Sequence, residues 1–108
     1  MPRYITTNLT YATSTVTTGI SYAAAVNDRV LCTAGGITIT LPISTSLTVG
    51  DTVQIIDVAG VAGSSNITVA RNGANIQGVA DNLTIDANNA SPVLVYTGAT
   101  YGWVIAGS

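Results

Sequence analysis

Five aspartates are the only acidic residues of this 108-residue chain, and no histidine, lysine or glutamate accompanies them. Imidazole metal ligands, histidine general bases and lysine Schiff bases are therefore excluded. Two aspartates would suffice for a glycosidase pair, but nothing in the sequence marks a cleft around any of them. The acidic residues are Asp28, Asp51, Asp57, Asp81 and Asp86. We therefore predict no catalytic residues and no enzymatic activity.

Oxygen-bearing side chains are concentrated between Asp81 and Asn89, where a calcium loop is conceivable. The segment lacks the D-x-[DN]-x-[DN]-G order and the terminal glutamate of such a loop. Asn and Asp are also common turn formers, and we favour that interpretation. The glycine-containing run from Ala59 to Ser65 lacks the GK[ST] of a phosphate-binding loop, so we interpret it as a mobile loop. No metal and no cofactor is predicted.

Cys32 is the single cysteine, so an internal disulfide is excluded. It lies in an apolar, strand-like run, and the chain has no histidine to activate a thiol, so we predict a small buried side chain. Three arginines and a net charge of −2 offer no cationic surface for nucleic acid. No apolar run approaches the roughly 20 residues of a membrane span, and the N-terminus lacks the apolar core of a secretory signal.

Three aromatic residues, Tyr96, Tyr101 and Trp103, lie within eight positions near the C-terminus. Exposed on one face, they would form a stacking platform for sugars or an anchor for a protein interface. Alternatively, Trp103 closes one end of the core. We favour a core or oligomer-interface role over ligand binding.

Alternation of apolar and polar residues with period two, broken by Gly, Asn, Asp and Ser, predicts an all-β chain. Gly35-Gly36 suits a two-residue turn, and pairing Val30 with Leu41 across it makes one face apolar. Asn72-Gly73 predicts a second hairpin, with Val69 opposite Ile76. Further strands are predicted at 52–57, 66–70, 82–85, 92–97 and 103–105. The expected architecture is a small antiparallel β-sandwich or meander.

The chain divides near residue 27. Nine of the sixteen residues from 6 to 21 are Thr or Ser. The segment therefore has too few apolar residues to build a core of its own. We predict an extended N-terminal arm over residues 1–26 and an antiparallel β domain over residues 27–108. The candidate contacts with partners or other copies are Arg3, Tyr4, Ile5, Leu9 and Tyr11 in the arm, and Tyr96, Tyr101 and Trp103 in the body.

Edge strands of such a sheet would be poorly protected, because the chain has no lysine and only eight charges. Runs such as residues 37–41 and 93–96 would aggregate if left open. Covering the edges with copies of the same chain solves this problem, so we predict a homo-oligomer.

The body contains a succession of β motifs: Ile37-Thr38-Ile39-Thr40-Leu41-Pro42, then residues 49–57, then residues 66–73, then the Tyr-Gly-Trp of residues 101–103. This succession resembles a β module of tailed-bacteriophage virions, found in tail fibres, head fibres and capsid decoration proteins, often as trimers. The resemblance covers about residues 27–106. Some relatives turn their last hairpin on Asp-Gly, where this chain has Thr97-Gly98.

The resemblance implies a structural virion protein and carries over no catalytic residues. Tail fibres are long, whereas we expect a short chain starting at Met1, with one body and one arm. We therefore favour a homotrimeric capsid decoration (cement) protein that binds the major capsid protein and stabilises the head shell. The alternative is a short tail fibre or receptor-binding module that contacts other tail proteins or host glycans. The capsid surface is preferred over the tail.

Overall fold

Nine short strands form two mixed β-sheets in a computed structural model, which describes residues 14–107. Within this range the structure contains no α-helix, and a single 3₁₀ turn occupies Ser44–Ser46. The strands are β1 (Ser14–Thr18), β2 (Tyr22–Ala23), β3 (Asp28–Cys32), β4 (Thr38–Thr40), β5 (Thr52–Asp57), β6 (Ile67–Ala70), β7 (Leu83–Ile85), β8 (Val93–Tyr96) and β9 (Trp103–Gly107). The all-β prediction is confirmed. The predicted strand at 52–57 has the predicted bounds, and those at 66–70, 82–85, 92–97 and 103–105 differ by at most two residues at either end.

The first six strands alternate between the two sheets. One sheet has the order β1-β3-β5-β8-β9 and the other β2-β4-β6-β7. Strands β1, β3 and β5 pair in parallel, as do β2, β4 and β6. Each successive pair of strands from β1 to β6 thus adds one strand to each sheet. Only the later pairs, β5–β8, β6–β7 and β8–β9, are antiparallel. The prediction of a wholly antiparallel architecture is therefore wrong.

The hairpin predicted at Gly35-Gly36 does not form, because β3 and β4 belong to different sheets. The glycines instead lie where the chain crosses between the sheets and passes close to Ser65. A Cβ on Gly35 would lie 2.2 Å from the Ser65 carbonyl oxygen, and the Gly36 N–H donates to the carbonyl of Asn66 at 3.0 Å. Glycine is needed here for close backbone approach, not for a hairpin turn.

The turn at Asn72-Gly73 forms, but the strand pairing predicted across it is wrong. Both residues have positive φ, 50° and 97°, as a primed turn requires. The chain then leaves the sheet, and Ile76 makes isolated bridges to Val79 and to Trp103 of the other sheet. The antiparallel neighbour of β6 is β7, which starts eleven residues after the turn's first residue.

One hydrophobic core joins the inward-facing residues of both sheets. Burial alternates strictly along β3 and β5, as period-two patterning dictates. In the parallel register Val16 is paired with Val30, and Val30 with Ile55, so apolar residues stack from strand to strand. The fully buried apolar side chains are Val30, Cys32, Ile39, Leu41, Val53, Ile55, Ala62, Ile67, Val69, Leu94 and Trp103. The faces that were expected to be buried are buried, although their strand partners differ.

Part of the predicted arm belongs to these sheets. Residues 14–18 and 22–23 form β1 and β2, the edge strands on one side of each sheet. Residues 1–13, and with them the candidate contacts Arg3, Tyr4, Ile5, Leu9 and Tyr11, lie outside the described residues.

Candidate functional site

The outer strands of the two sheets carry no charged residue and no proline. They are β1 and β9 in the five-stranded sheet, and β2 and β7 in the four-stranded sheet. Charges and prolines are the usual protection of an edge against pairing with another chain. The four edges lack that protection in their own strands.

The edge of β9 is covered by Gln77. The Gln77 backbone N–H donates to the Trp103 carbonyl at 2.7 Å, and its side-chain oxygen accepts the Ile105 N–H at 3.0 Å. Strand β7 has no such cover, because its backbone pairs only with β6 among residues 14–107. None of the described residues therefore hydrogen-bonds to the outer edge of β7.

An apolar groove of about 180 Å³ lies beside β7, between this strand, β9 and the loop that leads into β8. Leu83, Ala90 and Ile105 form its floor and pack against the core. Asp86 is the one charged residue in its lining, which comprises Leu83, Thr84, Ile85, Asp86, Ala87, Ala90, Pro92 and Ile105. An open strand edge and an apolar surface thus adjoin each other.

A buried carboxylate organises the loops that follow β5 and β7. Asp57 accepts the backbone N–H groups of Gly60 at 3.1 Å, Ala62 at 2.9 Å and Asn89 at 3.1 Å. Burial alone would raise the pKa of Asp57. The N–H groups of Ala62, Asn89, Val61 and Gly60 outweigh that effect and hold the pKa below its usual 3.8. The charge of Asp57 is stabilised as part of the fold.

The segment from Asp81 to Asn89, which was considered above as a calcium loop, contributes to the same loop structure. The Asn88 side-chain oxygen accepts the Gly63 N–H at 2.7 Å, so this oxygen already has a backbone hydrogen-bond partner. No three Cys and Asp side chains among residues 14–107 lie close enough to hold a metal ion. The same residues contain no helix with the length and hydropathy to cross a membrane.

A second buried aspartate supports the turn between β2 and β3. One Asp28 carboxylate oxygen accepts the Tyr22 hydroxyl and the Ala25 N–H, both at 2.8 Å. The hydrogen bond to Asp28 raises the pKa of Tyr22 above 10.0, and burial and the negative charge of Asp28 act in the same direction. This pair ties the edge strand β2 to β3.

Cys32 is fully buried in β3. Burial, and secondarily the negative charge of Asp57, raises the pKa of its thiol to about 11. The side chain is therefore a neutral core residue, and the predicted buried role is confirmed.

The three C-terminal aromatic residues do not form an exposed platform. Trp103 is completely buried, so it is a core residue and its ring is not a surface contact. Tyr96 packs edge-on against it, with ring centroids 5.7 Å apart. Only Tyr101, 64% exposed, is accessible on the surface. The Trp103 Nε1–H has no hydrogen-bond partner among the described residues.

A second pocket, of about 260 Å³, is lined by three segments of the chain, within residues 44–45, 73–75 and 96–99. Hydroxyl, carboxamide and small apolar groups mix in its lining, and none of the lining residues is charged. They are Ser44, Thr45, Gly73, Ala74, Asn75, Tyr96 and Ala99. These residues come from three distant segments, so no local sequence signal indicated them except the Asn72-Gly73 turn and Tyr96.

Neither the models of known protein families nor the curated proteins match this chain. Its function is accordingly inferred from its residues and their geometry.

Proposed function

We propose that this chain is a non-enzymatic structural protein of a phage virion. In this proposal it is a homotrimeric decoration protein that sits on the capsid surface and binds the major capsid protein. The open, uncharged edge of β7 beside the apolar groove carries the proposal. The resemblance of residues 27–106 to virion β modules supplies the biological setting.

The groove and the edge favour contact between copies. An unpaired strand offers N–H and C=O groups to a second chain, and the adjoining apolar surface gains free energy when water is removed from it. In a ring of three copies, each groove contacts a different surface of the next copy, and the ring closes. Closure of the ring would shield the uncharged strand edges from pairing with further chains.

The segment before β1 is the proposed capsid contact. Residues 1–13 join the molecule at the β1 edge, so a trimer would present three such segments. Arg3, Tyr4, Ile5, Leu9 and Tyr11 offer one cation and four apolar or aromatic side chains. Three weak contacts on one particle combine by multivalency into stable attachment.

Oligomeric state is tested by light scattering coupled to size exclusion. The expected mass is about 33 kDa, three times the 10.9 kDa of the chain. Thr84→Lys puts a charge on the β7 edge and Ala87→Arg fills the groove, and each is expected to shift the mass towards the monomer. Ala99→Arg, at an exposed position in a distant loop, is the matched control. A wild-type monomer at micromolar concentration contradicts the trimer.

Capsid binding is tested by cosedimentation with heads purified from the phage that encodes the chain. We expect saturable, stoichiometric binding that is lost when residues 2–13 are deleted. This deletion leaves all nine described strands intact, because β1 begins at Ser14. Binding only to tails, or binding to heads that survives the deletion, contradicts the proposed attachment.

A further inference from the structure

We infer that residues 5–11 of one copy add a strand to the β7 edge of a neighbouring copy and fill the apolar groove beside it. This inference rests on the proposed association of copies, and it names the surface that each groove contacts. The outward backbone groups of β7, the residue pattern before β1 and the placement of charge support it.

Strand β7 turns the hydrogen-bonding groups of its central residue away from the sheet. The Thr68 N–H donates to the Ile37 carbonyl at 3.0 Å, so the backbone of Thr68 faces the β4 side and not β7. Thr84 is paired with Thr68, and the two therefore form a non-hydrogen-bonded pair of the antiparallel β6–β7 ladder. The N–H and C=O of Thr84 point to the outer edge, where none of the described residues bonds to them. A strand from another chain can pair there.

The segment before β1 has the sequence pattern of a strand with one apolar face. Ile5, Leu9 and Tyr11 alternate with positions that carry only Thr or Asn, so a strand places the three on one face together with Thr7. Residues 5–11 contain neither proline nor charge, the two features that oppose pairing at an edge. The apolar face of such a strand matches the apolar floor of the groove.

Charges are placed to align the two surfaces. Arg3 has the only charged side chain of residues 1–13. Asp81 and Asp86 are exposed and lie on either side of β7. The Arg3 end of an added strand lies beside Asp81 if the strand is parallel to β7, and beside Asp86 if it is antiparallel. Such a surface pair adds little affinity, but it favours this partner and this register.

The dimensions of the sheet direct the segment to a neighbour. β1 and β9 are the two edges of the five-stranded sheet, four strand spacings or about 19 Å apart. The groove lies on the β9 side, because Ile105 of β9 lines it. Tyr11 is three positions before Ser14, the first residue of β1, so its Cα lies at most about 11 Å from that of Ser14. Residues 5–11 therefore cannot pair as a whole with β7 of their own copy.

Strand addition divides the segment between two partners. Ile5, Leu9 and Tyr11 face the groove of the neighbour, whereas Tyr4 and the polar side chains of the other face remain exposed for the proposed capsid contact. A ring in which every copy gives one segment and receives one leaves no β7 edge unpaired.

Disulfide trapping in the full chain tests the pairing. Thr84→Cys, at the exposed centre of β7, is combined with a second cysteine on the polar face of the segment. Three double variants cover the registers, the second substitution being Thr6→Cys, Asn8→Cys or Thr10→Cys. Mild oxidation is expected to link copies in at least one of them, with most of the chain at multiples of 10.9 kDa on non-reducing gels.

The matched control combines Thr84→Cys with Ala99→Cys, at an exposed loop position outside the groove lining. It should give only the background of random linkage. Native Cys32 is buried and is not expected to take part.

A pair of single substitutions tests the apolar face. Leu9→Asn removes an apolar side chain from the groove and is expected to raise the dissociation constant of the assembly about tenfold, measured by light scattering on dilution. Thr10→Asn changes the next position, on the polar face, and should leave that constant within about twofold of the wild type.

Three results would overturn the inference: disulfides that form only within one chain, linkage no greater than in the control for all three double variants, or equal dissociation constants for Leu9→Asn and Thr10→Asn. If the wild type is a trimer and no variant links copies, this inference fails and the trimer stands. Linked copies with a wild-type mass of two chains would support strand addition and contradict the trimer.

Discussion

The Asn89 backbone N–H donates to the Asp57 carboxylate at 3.1 Å, and the Asn89 side-chain amide donates to the Asp57 backbone carbonyl at 3.3 Å. These two hydrogen bonds join the end of β5 to the loop that leads into β8. The same carboxylate also binds the loop after β5 through Gly60 and Ala62. One buried side chain therefore holds together the loop after β5 and the loop before β8, and it reaches Asn89 across 32 positions of the chain.

Asp57→Asn is expected to lower the free energy of unfolding by about 1–3 kcal/mol, because an amide NH₂ cannot accept the backbone N–H groups. Urea denaturation followed by circular dichroism measures the loss. Asp86→Asn is the matched control, since Asp86 is exposed, and it should change stability by less than about 0.5 kcal/mol. Equal effects of the two substitutions would show that Asp57 does not organise the loops.

Acid should remove the stabilisation that Asp57 provides. Its folded-state pKa lies below the 3.8 of the unfolded chain, so the contribution is complete above about pH 3.8. It is lost as the pH falls from there through the folded-state pKa. Urea midpoints between pH 2 and pH 6 should therefore fall more steeply in the wild type than in Asp57→Asn. Parallel curves for the two proteins would contradict the lowered pKa.

Cys32 should react slowly with disulfide reagents in the native protein. Raising its pKa from 9.0 to about 11 lowers the thiolate fraction near neutral pH about a hundredfold, and burial slows access further. The native rate is expected to be at least a hundredfold below the rate in denaturant. The chain has no other cysteine, so the reaction reports this position alone. Comparable rates in the two states would mean that the β3 core opens readily.

Gly35→Ala should destabilise the crossing between the two sheets. The new Cβ would lie 2.2 Å from the Ser65 carbonyl oxygen, so one of the two backbone segments must move. We expect a loss of about 1–3 kcal/mol, as for overpacking elsewhere. Gly107→Ala, with no atom within 4 Å of the added methyl group, is the control and should be nearly neutral. If Gly35→Ala left the free energy of unfolding unchanged, the close approach of Gly35 to Ser65 would be contradicted.

Local patterns predicted the local structure well. Alternation along residues 52–57 specified both the strand and its buried face, because side chains of a strand alternate with period two. Asn72-Gly73 specified a turn, because Asn and Gly adopt positive φ readily. The burial of Cys32 followed from its apolar neighbours and from the missing histidine.

Strand partners and pockets required the tertiary structure. An apolar face on residues 30–32 and another on 37–41 are equally compatible with a hairpin and with two sheets facing each other across a core. Neither the period nor the composition of these residues distinguishes the two arrangements, because the partners of β3 and β4 are β5 and β6, which lie 25 to 30 positions further along the chain. Tyr96, Asn75 and Ser44 meet in one pocket for the same reason, through contacts between distant loops.

By itself, the sequence determined the all-β class, the buried faces and the turn at Asn72-Gly73, since each depends on residue type and short-range periodicity. Tertiary structure alone decided that the first six strands alternate between two mixed sheets, and that β7 lies at a sheet edge beside an apolar groove. Those features depend on which distant segments pack together. Packing between distant segments is a property of the whole chain, and no short stretch of residues encodes it.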